Sequence, residues 1–220
     1  MKLVLASGSQ RRRELLTMCG YDYEIIVSNA DETIDENDPE SFVRALSFRK
    51  AKEVFDRLFA AGRREFAVIG SDTVVAFQKE GEAKPVIIGK PKDAEDAVCI
   101  LSMLSGKTHR VFTGVSVIAD IPDENAAAQC SIREKAEIQT ECSITEVTFE
   151  TLSPDEIADY VNSGDPLDKA GSYGIQGPFG MFVREIRGNY FTVIGMPIPV
   201  LYKMLKKIGI LPHGFYERIE

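Results

Sequence analysis

Apolar positions along this chain follow two periods, and their alternation predicts a mixed fold. Short, nearly continuous apolar runs read as buried strands at residues 2–6, 23–27 and 66–77, the last broken by Gly70-Ser71-Asp72. Residues 85–88 pair back as a hairpin after the turn at 79–82, and 111–119 and 138–152 read as longer antiparallel strands. Between them the period changes to that of a helix. Residues 11–19 end at Gly20, and residues 39–61 place Phe42, Val43, Leu46, Ala51, Val54, Phe55 and Leu58 on one face before Gly62. Further helices are expected at 93–104, with an Asp start and Gly106 beyond, and at 153–162, with a Ser-Pro start and Gly164 as its close. Residues 180–186 and 190–194 read as a second hairpin across Arg187-Gly188-Asn189, and 197–208 as the last helix before Gly209. Residues 120–137 are polar and Ala-rich, a loop excursion. The pattern gives an α/β protein with a mixed, partly antiparallel sheet and flanking helices, organised as a single domain over residues 1–220.

Composition narrows the class of partner. A net charge of −8, from 26 basic and 34 acidic residues, argues against nucleic acid or an anionic membrane surface. Cys19, Cys99, Cys130 and Cys142 have no metal-type spacing and fit a reducing, cytoplasmic setting without a signal peptide. No apolar run approaches the roughly 18 residues needed to span a bilayer. His109 and His213 lie too far apart to suggest a ligand pair, and His109 reads as a strand-start residue.

Polar residues that interrupt the apolar pattern carry the candidate chemistry. Ser7-Gly8-Ser9 is a narrow turn between a strand and a helix, so backbone N–H groups can approach an anion. Arg11, Arg12 and Arg13 follow in the first helical turn, where they oppose the helix dipole. A solvated face accounts for a basic run by itself, but this placement points to a bound anion such as phosphate. Neither a Walker loop nor the dinucleotide glycine fingerprint is present. Asp72 follows a core strand, where α/β folds put site residues; a turn Asp bonding its own backbone is the plainer alternative. The acidic stretch Asp31-Glu32-Thr33-Ile34-Asp35-Glu36 is mostly solvated charge. One carboxylate from it meeting Asp72 makes a hard-oxygen site for Mg²⁺ or Mn²⁺. Lys90 is fixed between Gly89 and Pro91, and the glycine-rich loop 165–177 has the length and polarity of a functional loop. On the polar face of the 39–61 helix, Arg44, Arg49, Lys50 and Lys52 are most simply solvated, although any one of them could reach a phosphate.

Taken together, Leu5 to Leu16, Asp31-Glu32, Gly70 to Val75, Gly89-Lys90-Pro91, Leu104-Ser105-Gly106 with His109, Thr113-Gly114-Val115, Asp168 to Gly177 and Val193 to Pro197 resemble the Maf family of nucleoside triphosphate pyrophosphatases. Gln10 and Met196 depart from its usual Pro and Leu. The resemblance implies an inosine-triphosphate-pyrophosphatase-like fold of two lobes around a central cleft, often as a homodimer. It also implies metal-dependent cleavage of a nucleoside triphosphate to monophosphate and pyrophosphate. The Lys169 to Gly177 loop is similar to the branch acting on dTTP and UTP; another branch acts on 7-methyl-GTP, and the family name also suggests a non-catalytic regulator of cell division. On this reading Asp72, Glu32 and Lys90 are catalytic, with Glu32 and Asp72 holding Mg²⁺ or Mn²⁺. Ser7, Arg11, Arg12, Thr73 and Gln176 bind the substrate, with Gln176, Thr73 and Arg12 reading the base.

Overall fold

A computed structural model describes residues 1–121 and 136–214. Most of the excursion expected at 120–137, with Cys130, lies outside the described residues. The elements in order are β1 (Lys2–Leu5), α1 (Gln10–Met18), β2 (Glu24–Ile25), α2 (Pro39–Ala60), β3 (Phe66–Phe77), β4 (Val86–Ile88), α3 (Ala94–Leu104) and β5 (Thr108–Ala119). They continue as β6 (Glu137–Phe149), α4 (Pro154–Asn162), β7 (Val183–Arg187), α5 (Tyr190–Ile194) and α6 (Ile198–Lys207). Three short 3₁₀ turns lie between α4 and β7. The seven strands form one mixed sheet in the order β2-β1-β3-β5-β6-β7, with β4 paired to β3. The mixed α/β sheet expected from the sequence is therefore present.

β3 organises the molecule. One of its edges is taken from Ala67 to Ala76 by antiparallel β5. Parallel β1 at Phe66 to Ile69 and antiparallel β4 at Val75 to Phe77 must then share the other edge. Between them the stretch Gly70–Val74 has no strand partner on that side among the described residues, and a crevice opens there. The expected break at Gly70-Ser71-Asp72 is absent: β3 is continuous, and Asp72 lies in mid-strand opposite Gly114. Gly70 has another use. A Cβ there would lie 2.1 Å from the Ser47 carbonyl oxygen, and one on Gly114 would lie 2.1 Å from that of Val43. Glycine lets α2 rest directly on the strand backbones.

Side chains alternate along β3, so its odd and even positions meet different layers. Phe66, Val68, Val74 and Ala76 pack with Val43, Ala51, Val54 and Phe55 of α2. Ala67 and Ile69 pack with α1 and α6, while Val75 and Phe77 pack with α3 and α4. Each fully buried Val, Leu or Phe contributes about 1.5–3 kcal/mol, so the two layers hold β3 from both sides. The start of α2 is fixed by Asp38, which accepts from the Ser41 N–H at 2.9 Å, with Pro39 in the first turn.

The hairpin expected across residues 187–189 does not form. β7 pairs with β6, and Tyr190–Ile194 is a short helix, α5. Asn189 caps it through the Phe191 N–H at 2.8 Å, and Gly195 at φ +112° ends it. A cap at Asn189 and a stop at Gly195 outweigh the β-like run Phe-Thr-Val-Ile between them. β2 shrinks to two residues, and β6 ends at Phe149 rather than at 152.

Candidate active site

The crevice beside β3 widens into a cleft of about 1680 Å³. The β1–α1 turn, the end of β4 and the 165–177 loop contribute to its lining. Ser7, Arg11, Arg12, Glu32, Asp72, Thr73, Lys90 and Gln176 all line it.

One side of the cleft is a network of hydroxyls around a guanidinium. Arg12 donates from Nε to the Gly195 carbonyl at 2.9 Å, from Nη1 to Ser7 Oγ at 3.1 Å and from Nη2 to Thr73 Oγ1 at 3.4 Å. Thr73 Oγ1 is 3.0 Å from Thr113 Oγ1, which donates to the Thr192 carbonyl at 2.7 Å. The buried Ser71 hydroxyl lies 2.9 Å from the Gly195 carbonyl and 3.0 Å from that of Gly114. Burial lowers the pKa of Arg12, and neighbouring Arg11 adds to this, while Asp72 and Glu32 oppose it. Arg12 remains a cation, with N–H groups still to spare for a ligand. Arg11 sits further out, 3.5 Å from Asp168.

The other side is ionic. Asp72 projects toward α2, where Lys50 Nζ stands 2.8 Å from Asp72 Oδ1 and 3.0 Å from Glu32 Oε1. Lys50 is not the solvated lysine expected: its side chain is 12% exposed and that of Asp72 11%, against 65% for Glu32. The acidic loop that carries Glu32 is held by the same helix. Arg49 donates to the Asp31 and Thr33 carbonyls, both at 2.8 Å, Arg57 to that of Val27 at 3.0 Å, and the Asn29 N–H to Glu53 at 3.0 Å. Asp31 accepts from the Thr33 N–H at 2.9 Å in a local turn. Arg49 and Lys50, read as solvent-exposed, thus support the loop, whereas Lys52 is exposed as expected and Arg44 bonds the Thr140 carbonyl of β6. The signal for Lys50 was positional: it sits between Ser47 and Ala51, both buried against β3 and β5.

The 165–177 loop closes the cleft. Lys169 pairs with Asp165 at 2.9 Å and with Asp168 at 2.7 Å, and its side chain is only 12% exposed. Tyr160 donates to Asp165 Oδ2 at 2.6 Å and accepts from the Gly174 N–H at 3.1 Å. Burial works to raise the Asp165 carboxyl, yet the bonds from Tyr160 and Lys169 hold it below its usual range. The Gly171 N–H donates to the Gly89 carbonyl at 3.0 Å, which ties this loop to the segment bearing Lys90. Lys90 and Gln176 are exposed and make no hydrogen bond with the described residues, so both face the cleft uncommitted. Lys50, named from the sequence only among four residues able to reach a phosphate, and Lys169, Asp165 and Asp168 of the glycine-rich loop also line the cleft without having been given a role there.

Known proteins share this chain's sequence along nearly its whole length. A dTTP/UTP pyrophosphatase of Agathobacter rectalis is 40% identical over 217 residues, covering 95% of this chain and 98% of that protein. One from Bacillus thuringiensis subsp. konkukian is 42% identical over 210 residues, covering 95% and 96%. Among solved structures, the Ham1 protein of Staphylococcus aureus aligns over 94% of this chain and 99% of its own at 15% identity, with a TM-score of 0.49. The Maf-like protein family matches residues 2–208, and the chain belongs to that family.

Proposed function

We propose that the protein is a metal-dependent nucleoside triphosphate pyrophosphatase that hydrolyses dTTP and UTP to the monophosphate and pyrophosphate. The observation that carries this reading is the meeting of Asp72, Glu32 and Lys50 in the cleft that Arg12 and Lys90 also line. The names of the relatives support the substrate class.

Hydrolysis between the α and β phosphates forms a bond from water oxygen to phosphorus and breaks the bridging P–O bond, so pyrophosphate leaves. The triphosphate charge needs cations around it, and Arg11, Arg12 and Lys90 are given that role. Asp72 accepts the proton of the attacking water, and Lys50 orients its carboxylate. Thr73, Gln176 and Arg12 take the base and Ser7 a phosphate oxygen; Gln176 offers both a donor and an acceptor to a ring with two carbonyls and one N–H.

Glu32 and Asp72 are the residues given to Mg²⁺ or Mn²⁺. Among the described residues no group of three or more His, Cys, Asp or Glu side chains converges. Two carboxylates suit an ion that takes its other ligands from phosphate oxygens and water, and Lys50 already marks the place as one for positive charge. When bound, such an ion neutralises triphosphate charge and polarises water. A cytoplasmic homodimer belongs to the same proposal, supported by the family resemblance and, for the compartment, by the unpaired Cys19, Cys99 and Cys142.

Pyrophosphate release from UTP, dTTP, CTP, ATP, GTP and 7-methyl-GTP, with EDTA and with Mg²⁺ or Mn²⁺ restored, tests the reading. Preference for UTP and dTTP with loss of activity in EDTA is the expected result. A best rate on a guanine nucleotide overturns the pyrimidine assignment, and activity that persists in EDTA overturns the metal site. Nucleotide binding without any turnover favours the regulator.

A further inference from the structure

His109 is 2% exposed at the start of β5, inside an aromatic cluster. Its ring meets Phe149 edge-on at 4.7 Å between centroids and Tyr173 at 5.4 Å. Nε2 lies 2.9 Å from the Tyr173 hydroxyl, while Nδ1 is buried without a partner among the described residues. Either Nε2–H donates to the Tyr173 oxygen, or the Tyr173 O–H donates to Nε2; both tautomers join the two side chains by one hydrogen bond. Burial pulls the imidazole down to about 3, so the ring is neutral at physiological pH. Packing alone does not select a residue with an orphaned nitrogen here. The bond to Tyr173 does.

Tyr173 stands in the middle of a tightly held segment. Gly171 and Ser172 before it adopt φ of +71° and +60°. A side chain on Gly171 would run into Val75, 2.5 Å away. Gly171 is tied to Gly89, Tyr173 to His109, and Gly174 to the Tyr160 hydroxyl. Two residues later the chain delivers Gln176 into the cleft. Backbone held in sparsely populated conformations persists only where its surroundings fix it, and His109 supplies the buried polar anchor at Tyr173.

We propose that His109 is a positioning residue for base selection, acting through Tyr173 to fix the 171–177 loop and so the place of Gln176. The inference rests on the base-reading role given to Gln176 above. It makes no demand on the phosphate chemistry, because His109 touches neither Asp72 nor Lys50.

The test compares His109→Phe, Tyr173→Phe and His109→Gln with the wild type. The first two remove the hydrogen bond and keep a ring in place; the third restores a hydrogen-bonding group. The readouts are kcat and KM on UTP and on CTP, whose ring exchanges a carbonyl for an amino group, and hydrogen exchange across the loop. The ratio of kcat/KM for UTP over CTP is expected to fall roughly fivefold in both Phe variants, mainly through KM, with kcat on UTP little changed. His109→Gln should recover part of the ratio, and exchange should quicken at 174–177 but not in α2. An unchanged ratio in both Phe variants, or equal losses on both nucleotides, overturns the proposal. If His109→Phe does not fold, Tyr173→Phe decides alone. A wild type that hydrolyses UTP and CTP equally refutes the base reading and the selectivity role together, while the exchange data still decide whether His109 anchors the loop.

Discussion

Asp72 and Thr73 are neighbours in sequence and face opposite sides of one strand. Asp72 looks toward α2 and finds an ammonium and a second carboxylate; Thr73 looks toward α1 and α5 and finds hydroxyls, a carbonyl-bound guanidinium and a helix end. The ionic side is completed by an exposed loop residue, Glu32, whereas the hydroxyl side is closed by buried Thr113, Ser71 and Thr192. Charges that can be regrouped suit a place where charge develops and departs. Fixed neutral donors suit recognition, because a mismatched ligand leaves them unpaired. On the proposed function, strand alternation puts the proton-accepting carboxylate on one side of the crevice and the base-reading threonine on the other, with Arg12 beside the threonine also serving the triphosphate.

The sharpest way to break that division is to change the two neighbours one at a time. Asp72→Asn keeps the shape and removes the charge, and turnover should fall at least about 10²-fold with the fold intact by circular dichroism. Thr73→Val should instead alter the preference between nucleotides and leave kcat on the best substrate within a few-fold. More than half of wild-type turnover in Asp72→Asn would remove that residue from the mechanism and dissolve the contrast.

A second pair compares a cation built into the fold with one that is free of it. Arg12→Ala and Lys90→Ala should each lower kcat/KM by an amount equivalent to about 1.5–3 kcal/mol, the worth of a charge-assisted contact. Only Arg12→Ala should also lower the melting temperature, since Gly195, Ser7 and Thr73 lose a donor, while Lys90 bonds to none of the described residues. Equal effects on stability would mean that Arg12 is no more structural than Lys90.

Gly70→Ala probes the ionic side through the backbone. The added Cβ would meet the Ser47 carbonyl at 2.1 Å, and neither helix nor strand backbone can yield cheaply. Overpacking of this kind costs about 1–3 kcal/mol and should push α2, and with it Lys50, away from Asp72. Thermal unfolding reports the cost. Turnover should drop while the UTP to CTP ratio holds, because Gly70 faces α2 and not the hydroxyl network.

These contrasts follow what the sequence could and could not display. Strands and amphipathic helices were legible because burial imposes a period, and eight candidate residues from distant motifs do line one cleft. Gly70-Ser71-Asp72 read as a break because small and charged residues normally end strands; here they mark contact with α2 on one side and the open crevice on the other. Residues 190–194 read as a strand because the run between Asn189 and Gly195 is β-like, and a helix of one turn has no period to detect. Lys50 was grouped with solvated lysines because helical spacing says which face a residue lies on, but not which loop returns to cover that face. His109 looked unremarkable because its partner, Tyr173, is 64 positions away.

The smallest expected effect concerns that histidine and the loop it anchors. Its folded-state pKa of about 3 lies below the unfolded value near 6.5. Between those values the unfolded chain binds the proton and the folded chain does not, so stability rises with pH there. The contribution is fully present above the unfolded pKa and is lost as pH falls toward 3, at a limiting slope of about 1.4 kcal/mol per pH unit. Urea unfolding of the wild type and of His109→Phe at pH 7.0 and 5.0 separates this from the carboxylates, which titrate in both proteins. The wild type should lose more stability between the two pH values than the variant, by about 1–2 kcal/mol. Equal losses would mean that the imidazole is not held neutral in the core, and the 171–177 loop would then lack the buried anchor given to it.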